Sequence, residues 1–344
     1  MRKFNVAIVG ATGAVGEELL NVLAEVDFPV ANILPLASAK SAGSSVEFGG
    51  KEYKVVELTE SVFEEHEVDI AFFSAGGSVS AKFAPIAAAS GAVVIDNTSH
   101  FRMDADVPLV VPECNPQDIA LWKTRGIIAN PNCSTIQMVQ ILKPLDDVYD
   151  IQRVDVSTYQ AASGAGKEGM EELVLQMQKF FEFKLDECEP KVFAHRLAFN
   201  VIPHIDVFLD NDYTKEEMKM VNETQKILHK NMEVSATCVR VPVLRSHSEA
   251  ITIHFAKDVD ALHAKEILSK APSLIVLDNP SKKEYPMPLH STDTNDTYVG
   301  RIRVDNYRPN VLHLWCSADQ IRVGAATNAV RIAQKWIELP ENAL

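Results

Sequence analysis

Cys133 stands in the run Asn130-Pro-Asn-Cys-Ser-Thr135, between a short apolar segment at 127–129 and a helical pattern at 134–142. A thiol at a helix start meets the positive end of the backbone dipole and N–H groups without helical partners, and both favour the thiolate. A thiolate attacks a carbonyl carbon and divides one difficult acyl transfer into two easier steps through a thioester. The other cysteines lack that setting. Cys188, Cys238 and Cys316 read as small core residues, and Cys114, in Val-Pro-Glu-Cys-Asn-Pro, as a more exposed thiol without a helix start. The cysteines number five, are scattered and contain no Cys-x-x-Cys pair, which argues against a disulfide framework or a metal site and for a reducing cytoplasm.

A second chemical feature lies near the start of the chain. Gly10-Ala-Thr-Gly-Ala-Val-Gly16 joins an apolar strand-like run at 6–9 to a helical stretch at 17–26. Glycines at this junction permit a tight turn and let backbone N–H groups reach a pyrophosphate, so Gly10, Thr12, Gly13, Ala14 and Val15 are candidate cofactor contacts. The spacing is G-x-x-G-x-x-G, which is less specific than the usual dinucleotide pattern, and a ligand-free glycine turn is the competing reading. After the second strand an NAD enzyme places a carboxylate for the ribose hydroxyl. Here Ser38, Lys40 and Ser41 stand instead, offering hydroxyls and a cation that suit a 2′-phosphate, so NADP is favoured. A solvated loop lysine is the alternative for Lys40.

A nicotinamide domain followed by a nucleophilic cysteine implies aldehyde oxidation or its reverse, with hydride moving to or from a thiohemiacetal carbon. A base must take the hydroxyl proton of that intermediate, and histidine suits the task. His247 follows Arg240 by seven residues, close enough in sequence for both to face one site, although the chain holds 10 histidines.

These residues need elements to hold them. Short apolar strands are expected at 6–9, 33–37, 69–74, 92–96, 107–111 and 127–129, with helices at 17–26 and 80–90 between them, which is the texture of a parallel sheet covered on both faces. After residue 130 the texture changes. Helices are expected at 134–142, 168–183 and 214–229, the last with Thr214 as N-cap and Glu217 completing a capping box. Longer, alternating strands at 154–159, 238–244, 250–255, 298–304 and 311–317 imply a mixed sheet. The Pro-, Ser- and Asn-rich stretch 277–297 reads as an exposed excursion, and a helix at 324–338 as returning to the first domain. The fold class is therefore α/β: an N-terminal Rossmann-like doubly wound sheet over 1–130, completed by 323–344, and a second α+β catalytic and dimerisation domain over 131–322.

The 344 residues suit two domains. Lys and Arg total 33 against 47 Asp and Glu, a net charge of −14. An acidic chain repels nucleic acid and anionic membrane. No apolar run approaches the roughly 20 residues of a membrane span, and the N-terminus enters a strand rather than a signal core. An anionic substrate must then be drawn in by local cations.

Taken together, the glycine loop, Phe101-Arg-Met-Asp104, Asn130 to Thr135, Gln160-Ala-Ala-Ser-Gly-Ala-Gly166, Glu216-Glu-Met-Lys219, Arg240-Val-Pro-Val243 and Arg245-Ser-His247 occur in the order found in aspartate-semialdehyde dehydrogenases. The resemblance runs from about residue 4 to residue 338, nearly the whole chain. It implies conversion of L-4-aspartyl phosphate and NADPH to L-aspartate 4-semialdehyde and phosphate, in lysine, diaminopimelate, threonine and methionine synthesis, by a cytoplasmic homodimer. It further implies Cys133 as the acyl nucleophile, Gln160 as the residue positioning the thioester, His247 as acid/base, Arg240 on the substrate α-carboxylate and Glu216 on its α-amino group. Arg102 and Lys219 would hold phosphate, and Asn132 would contact substrate. Thr12 to Val15, Lys40, Ser41, Ser163, Gly164 and Asn328 would contact the cofactor. One departure is Lys40, where many relatives carry arginine. The rival activities are reduction of N-acetyl-γ-glutamyl phosphate, for which a carboxylate at Glu216 has no ammonium to meet, and, more remotely, a malonyl-type acyl reduction. A non-catalytic NADP-binding relative would have lost the nucleophile or the base.

Overall fold

The computed structural model describes residues 2–340 and residue 342. The chain divides into two compact units, Met1–Asn132 with Gly324–Leu344, and Cys133–Val323.

In the first unit the elements are β1 (Phe4–Val9), α1 (Ala14–Glu25), β2 (Val30–Ala37), the hairpin β3 (Ser45–Phe48) and β4 (Lys51–Lys54), β5 (Val56–Glu57), α2 (Val62–Glu65), β6 (Ile70–Phe73), α3 (Gly77–Ala89), β7 (Val93–Asp96) and β8 (Ile127–Ala129). The main sheet runs β5-β2-β1-β6-β7-β8, with every neighbouring pair parallel. The chain starts in the middle and winds outward both ways, so the ends of β1 and its neighbours form the crevice where such sheets bind nucleotides. Strands buried on both faces explain the unbroken apolar runs of β6 and β7.

Residues 107–111, expected as a strand, form only an isolated bridge from Leu109 to Ala129. Val110 N–H donates to Ala129 O and Ala129 N–H to Pro108 O, a short run of pairing between Pro108 and Pro112, neither of which can donate to a ladder. The stretch is nonetheless buried.

The second unit contains α4 (Cys133–Tyr149), β9 (Ile151–Gln160), α5 (Gly166–Phe181), α6 (Lys215–Leu228), β10 (Glu233–Arg240), β11 (His247–Phe255), α7 (Ala261–Lys270), β12 (Leu274–Val276), α8 (Pro288–Ser291), β13 (Thr297–Val304) and β14 (Val311–Ala318). Its sheet runs β10-β9-β11-β14-β13-β12. The pairs β10–β9 and β12–β13 are parallel and the rest antiparallel, so the sheet is mixed. Met138, Ile141, Leu142 and Leu145 of α4, Met220 of α6 and Leu268 of α7 share a core with Val154, Val156, Ile251, Ile253, Leu312 and Leu314. One face of the sheet is thus roofed by three helices.

Strand β10 ends at Arg240 rather than running to 244, because Pro242 has no N–H to continue the ladder. The stretch 277–297 is not an exposed excursion throughout. Its tip at 279–284 is exposed or nearly so, but Pro286, Ser291 and Thr297 are buried and Trp315 Nε1 donates to Pro286 O at 3.0 Å. A side chain at Gly300 would strike Leu277 O at 2.2 Å, so the stretch lies directly on β13. The last helix, α9 (Thr327–Ile337), belongs to the first unit. Its Ala329, Val330, Ala333 and Trp336 join the core of Phe4, Val6, Leu19 and Leu23. Residues 341, 343 and 344 of the expected C-terminal segment lie outside the described residues.

Candidate active site

The second unit gathers most of the expected catalytic and substrate residues at one end of its sheet. Arg240 on β10 pairs with Gln160 on β9, and His247 opens β11 beside Ala318 of β14. Gln160 Nε2 lies 3.4 Å from His247 Nε2 and donates to Glu216 Oε1 at 3.2 Å. Thr158 holds the Gln160 amide from behind, its hydroxyl donating to Gln160 Oε1 at 3.0 Å. Arg240, Gln160, Glu216 and His247 are all buried. Cys133 starts α4, which roofs this same face, and is half-buried, with no carboxylate in the first turn to oppose a thiolate. A thiolate there would attract the Arg240 guanidinium.

Electrostatics follow from this crowding. Burial pulls the Arg240 guanidinium below its ordinary value, against the attraction of Glu216. Arg240 Nη1 donates to Ala161 O at 2.7 Å, which aims the guanidinium and rules out a surface ion pair as its role. Burial, with Arg240 adding to it, holds the His247 ring well below the usual histidine value, so it is neutral at neutral pH. Ala161 N–H donates to His247 Nδ1 at 3.0 Å. An accepting Nδ1 leaves the proton of the neutral ring on Nε2, a tautomer assigned from this hydrogen bond. Of the acid/base role expected from the sequence, the ring as placed presents the proton-bearing, acid side.

Glu216 and Lys219 sit one turn apart on α6 and pair at 2.9 Å, while Lys219 also reaches Asp206 at 2.8 Å. Burial works against the Lys219 ammonium, but Glu216 and Asp206 outweigh it and raise its affinity for the proton. Thr214 caps the helix as expected: Glu217 N–H donates to its Oγ1 and Glu217 Oε2 accepts from its N–H. Glu217 Oε1 also accepts from Cys238 N–H at 3.1 Å, fixing the helix to β10.

The loop after Gln160 closes over the site. A Cβ at Gly164 would come within 2.6 Å of Arg240 Nη1 and 3.3 Å of His247 Nε2, so only glycine leaves both side chains in place. Ser163 N–H donates to Leu244 O at 3.0 Å. Gln320, absent from the sequence reading, donates a very short hydrogen bond to Ser163 Oγ and accepts from Ser246 N–H at 2.8 Å. It thereby ties the Ser163 loop to the residue before His247. Its neighbour Asp319, fully buried, pairs with Arg245 Nε at 2.8 Å and accepts from Ile321 and Arg322 N–H. Neither residue carried a sequence signal, because the side chains and loops they tie together, Ser163, Ser246 and Arg245, lie more than 70 positions away.

The first unit holds the cofactor candidates. Gly10 has φ +92°, and a Cβ at Gly16 would lie 2.2 Å from Gly10 O. The turn therefore exists only with glycine at both ends, and Gly13 sits at the N-cap of α1 with Ala14 and Val15 as its first helical residues. That cradle fits a pyrophosphate. Ser38 and Lys40 are exposed, and Ser41 N–H donates to Ser38 O at 2.9 Å. Arg102 is buried, its Nε donating to Asn130 O at 2.9 Å and Nη2 to Asn97 O at 2.8 Å. Asn328 Nδ2 donates to Asn130 Oδ1 and Val110 O, while its buried Oδ1 meets no donor among the described residues. Asn132 is buried. Cys114 is buried, not exposed. No group of metal-ligating residues occurs among the described residues.

Residues 5–122 match the semialdehyde dehydrogenase NAD binding domain and residues 142–323 the semialdehyde dehydrogenase dimerisation domain. The chain is 76% identical to an aspartate-semialdehyde dehydrogenase of Campylobacter jejuni, over 98% of each. A crystal structure of aspartate semialdehyde dehydrogenase II of Vibrio cholerae complexed with ASA is similar with a TM-score of 0.95 at 47% identity, covering 99% of this chain and 100% of that one. The Candida albicans aspartate semialdehyde dehydrogenase with NADP has a TM-score of 0.74 at 25% identity, with 98% and 99% covered. This chain belongs to the aspartate-semialdehyde dehydrogenase family.

Proposed function

We propose that the protein reduces L-4-aspartyl phosphate to L-aspartate 4-semialdehyde, with release of phosphate, through a thioester on Cys133. The observation that carries this reading is the pair of opposite charges buried on either side of Gln160. Arg240 offers a planar fork to an α-carboxylate. Glu216 offers a carboxylate to an ammonium. Together they match the zwitterionic end of an unblocked amino acid, and an N-acetylated substrate would leave Glu216 facing an amide. The Vibrio cholerae relative complexed with ASA supports the same substrate.

Cys133 attacks the acyl carbon as thiolate. The C–S bond forms, the C–O bond to phosphate breaks, and Arg102 and Lys219 are the cations assigned to the leaving phosphate. Gly10 to Val15 would hold the pyrophosphate of NADPH, Ser38, Lys40 and Ser41 its 2′-phosphate, and Ser163, Gly164 and Asn328 would be further contacts; the cofactor would supply the hydride. His247 Nε2–H donates to the carbonyl oxygen of the thioester and stabilises the oxyanion that follows. When the oxyanion collapses, the C–S bond breaks, aldehyde leaves and thiolate returns, so the histidine need not give up its proton. Gln160 and Asn132 orient the acyl group. The cationic Lys40 and the Candida albicans complex support NADP over NAD, and the match to a dimerisation domain supports a homodimer. No helix among the described residues is long and apolar enough to cross a membrane, and the reading places the enzyme in the cytoplasm.

The test is the reverse reaction. Purified protein with aspartate semialdehyde and phosphate should produce NADPH from NADP, with weaker turnover on NAD. Turnover with N-acetylglutamate semialdehyde instead would assign the rival substrate.

A further inference from the structure

Two strands of the first unit end side by side. The last register pair of β7 and β8 is Asp96 with Ala129, and one further backbone bond, from Asn130 N–H to Asp96 O at 2.8 Å, closes the ladder. The next residues along, Asn97 and Asn130, lie at the carboxyl edge of the sheet, where open parallel sheets bind their ligands. Their main-chain carbonyls hold Arg102. Its Nε donates to Asn130 O at 2.9 Å and its Nη2 to Asn97 O at 2.8 Å. Neutral carbonyls orient a guanidinium without cancelling its charge, which a carboxylate in their place would do.

The two side chains add a rung where the backbone ladder stops. Asn130 Nδ2 donates to Asn97 Oδ1 at 2.9 Å. Asn130 Oδ1 accepts from Asn328 Nδ2 of α9 at 2.6 Å, and Asn328 Nδ2 also reaches Val110 O at 3.0 Å. Asn130 and Asn328 are buried. The direction of this chain of amides is set at its far end. Val110 O only accepts, so Asn328 turns its Nδ2 there, Asn130 turns its Oδ1 to Asn328, and Asn97 turns its Oδ1 to Asn130. An amide at position 130 meets both demands at once, accepting from Asn328 and donating to Asn97.

We propose, resting on the role given to Arg102 in the reaction above, that Asn130 is a positioning residue for that cation. Its side chain keeps the ends of β7 and β8 at the separation at which both carbonyls hold the guanidinium, and through Asn328 it anchors both to α9. Without the rung the two ends are free to part. Arg102 then loses a fixed acceptor, samples more rotamers and must be ordered again each time phosphate binds.

The test compares full-length wild type, Asn130→Ala, Arg102→Ala and the double variant in the reverse reaction, with inorganic phosphate varied. Arg102→Ala should raise KM for phosphate about ten- to a hundredfold. Asn130→Ala should raise it about three- to tenfold. Its kcat should stay within about threefold, and its KM for aspartate semialdehyde and the rate at which iodoacetamide alkylates Cys133 should stay near wild type. A residue that merely stiffened the approach to Cys133 would move those instead. In the double variant, Asn130→Ala should add nothing to the effect of Arg102→Ala, because it acts through that side chain. A second readout needs no turnover. Inorganic phosphate should raise the melting temperature of the wild type, and Asn130→Ala should need about three- to tenfold more phosphate for the same rise. Should Asn130→Ala not fold, Asn97→Ala removes the other end of the rung and leaves its carbonyl on Arg102. An unchanged phosphate KM in Asn130→Ala, an equal rise in its KM for aspartate semialdehyde, or a further rise on top of Arg102→Ala would each overturn the proposal. An unchanged phosphate KM in Arg102→Ala would instead overturn the role given to Arg102, and the proposal with it.

Discussion

Cys133, Arg240 and His247 carry the proposed reaction at the residue scale, and each owes its setting to its neighbours rather than to its own chemistry. Cys133→Ala should abolish phosphate-dependent NADPH formation, a fall of at least about a thousandfold, while NADP binding followed by fluorescence titration stays within about twofold of wild type. Retained turnover would mean that another nucleophile does the work. Arg240 is aimed by Ala161 O at 2.7 Å and fills the space that glycine leaves at position 164. Arg240→Lys replaces a two-point grip by a point charge and should raise KM for aspartate semialdehyde by roughly ten- to a hundredfold, with a smaller effect on kcat. An unchanged KM would place the carboxylate elsewhere. These residues were legible in the sequence because their types are rare in such settings: a cysteine after Asn-Pro-Asn, and an arginine and a histidine around a proline turn. Their electrostatic states were not legible, since the neutral His247 ring depends on burial and on Arg240 together.

At the scale of elements, the local signals were strong wherever chain chemistry alone decides structure. The Thr214–Glu217 capping box needs only neighbours in sequence, and it forms as read. Thr214→Ala should cost about 1 kcal/mol of stability, measured by urea unfolding, and should loosen α6, which carries Glu216 and Lys219. A stability equal to wild type would show that the tie from Glu217 to Cys238 holds the helix alone. Other elements were decided by contacts at a distance. The helix expected at 134–142 runs on to Tyr149 through Pro144, because Leu145 and Tyr149 are buried in the sheet core and that burial outweighs the missing backbone hydrogen bond. The stretch 107–111 is as apolar as a strand, but the prolines at either end reduce it to a bridge. The hairpin β3–β4 escaped the sequence reading although Gly49-Gly50 between its strands is a tight-turn signal.

At the scale of the whole molecule, the first unit depends on both ends of the chain. Trp336 of α9 packs edge-on against Phe4 at 6.1 Å and Trp122 at 5.5 Å between ring centres. Trp336→Ala should destabilise this unit by about 3–5 kcal/mol, seen as an early transition in calorimetry, and a single unchanged transition would show that α9 contributes little. Stability should also depend on pH through His247. Its folded value lies well below the 6.5 of a free ring, so the unfolded chain takes up a proton that the native chain refuses. Native stability should therefore be lost as pH falls below about 6.5, and His247→Gln should weaken that dependence. For the same reason kcat should show no acid limb near the ordinary histidine value.

The sequence by itself determined that a glycine turn joins a first strand to a first helix and that a parallel sheet gives way to a mixed one after residue 130, because each of these rests on residue type or on spacing within one element. Only the tertiary structure decided which proton His247 presents and what Gln320 and Asp319 hold. Register across β10, β9, β11 and β14 brings together residues up to about 160 positions apart, and a chain read one window at a time carries no record of which strand will lie beside which.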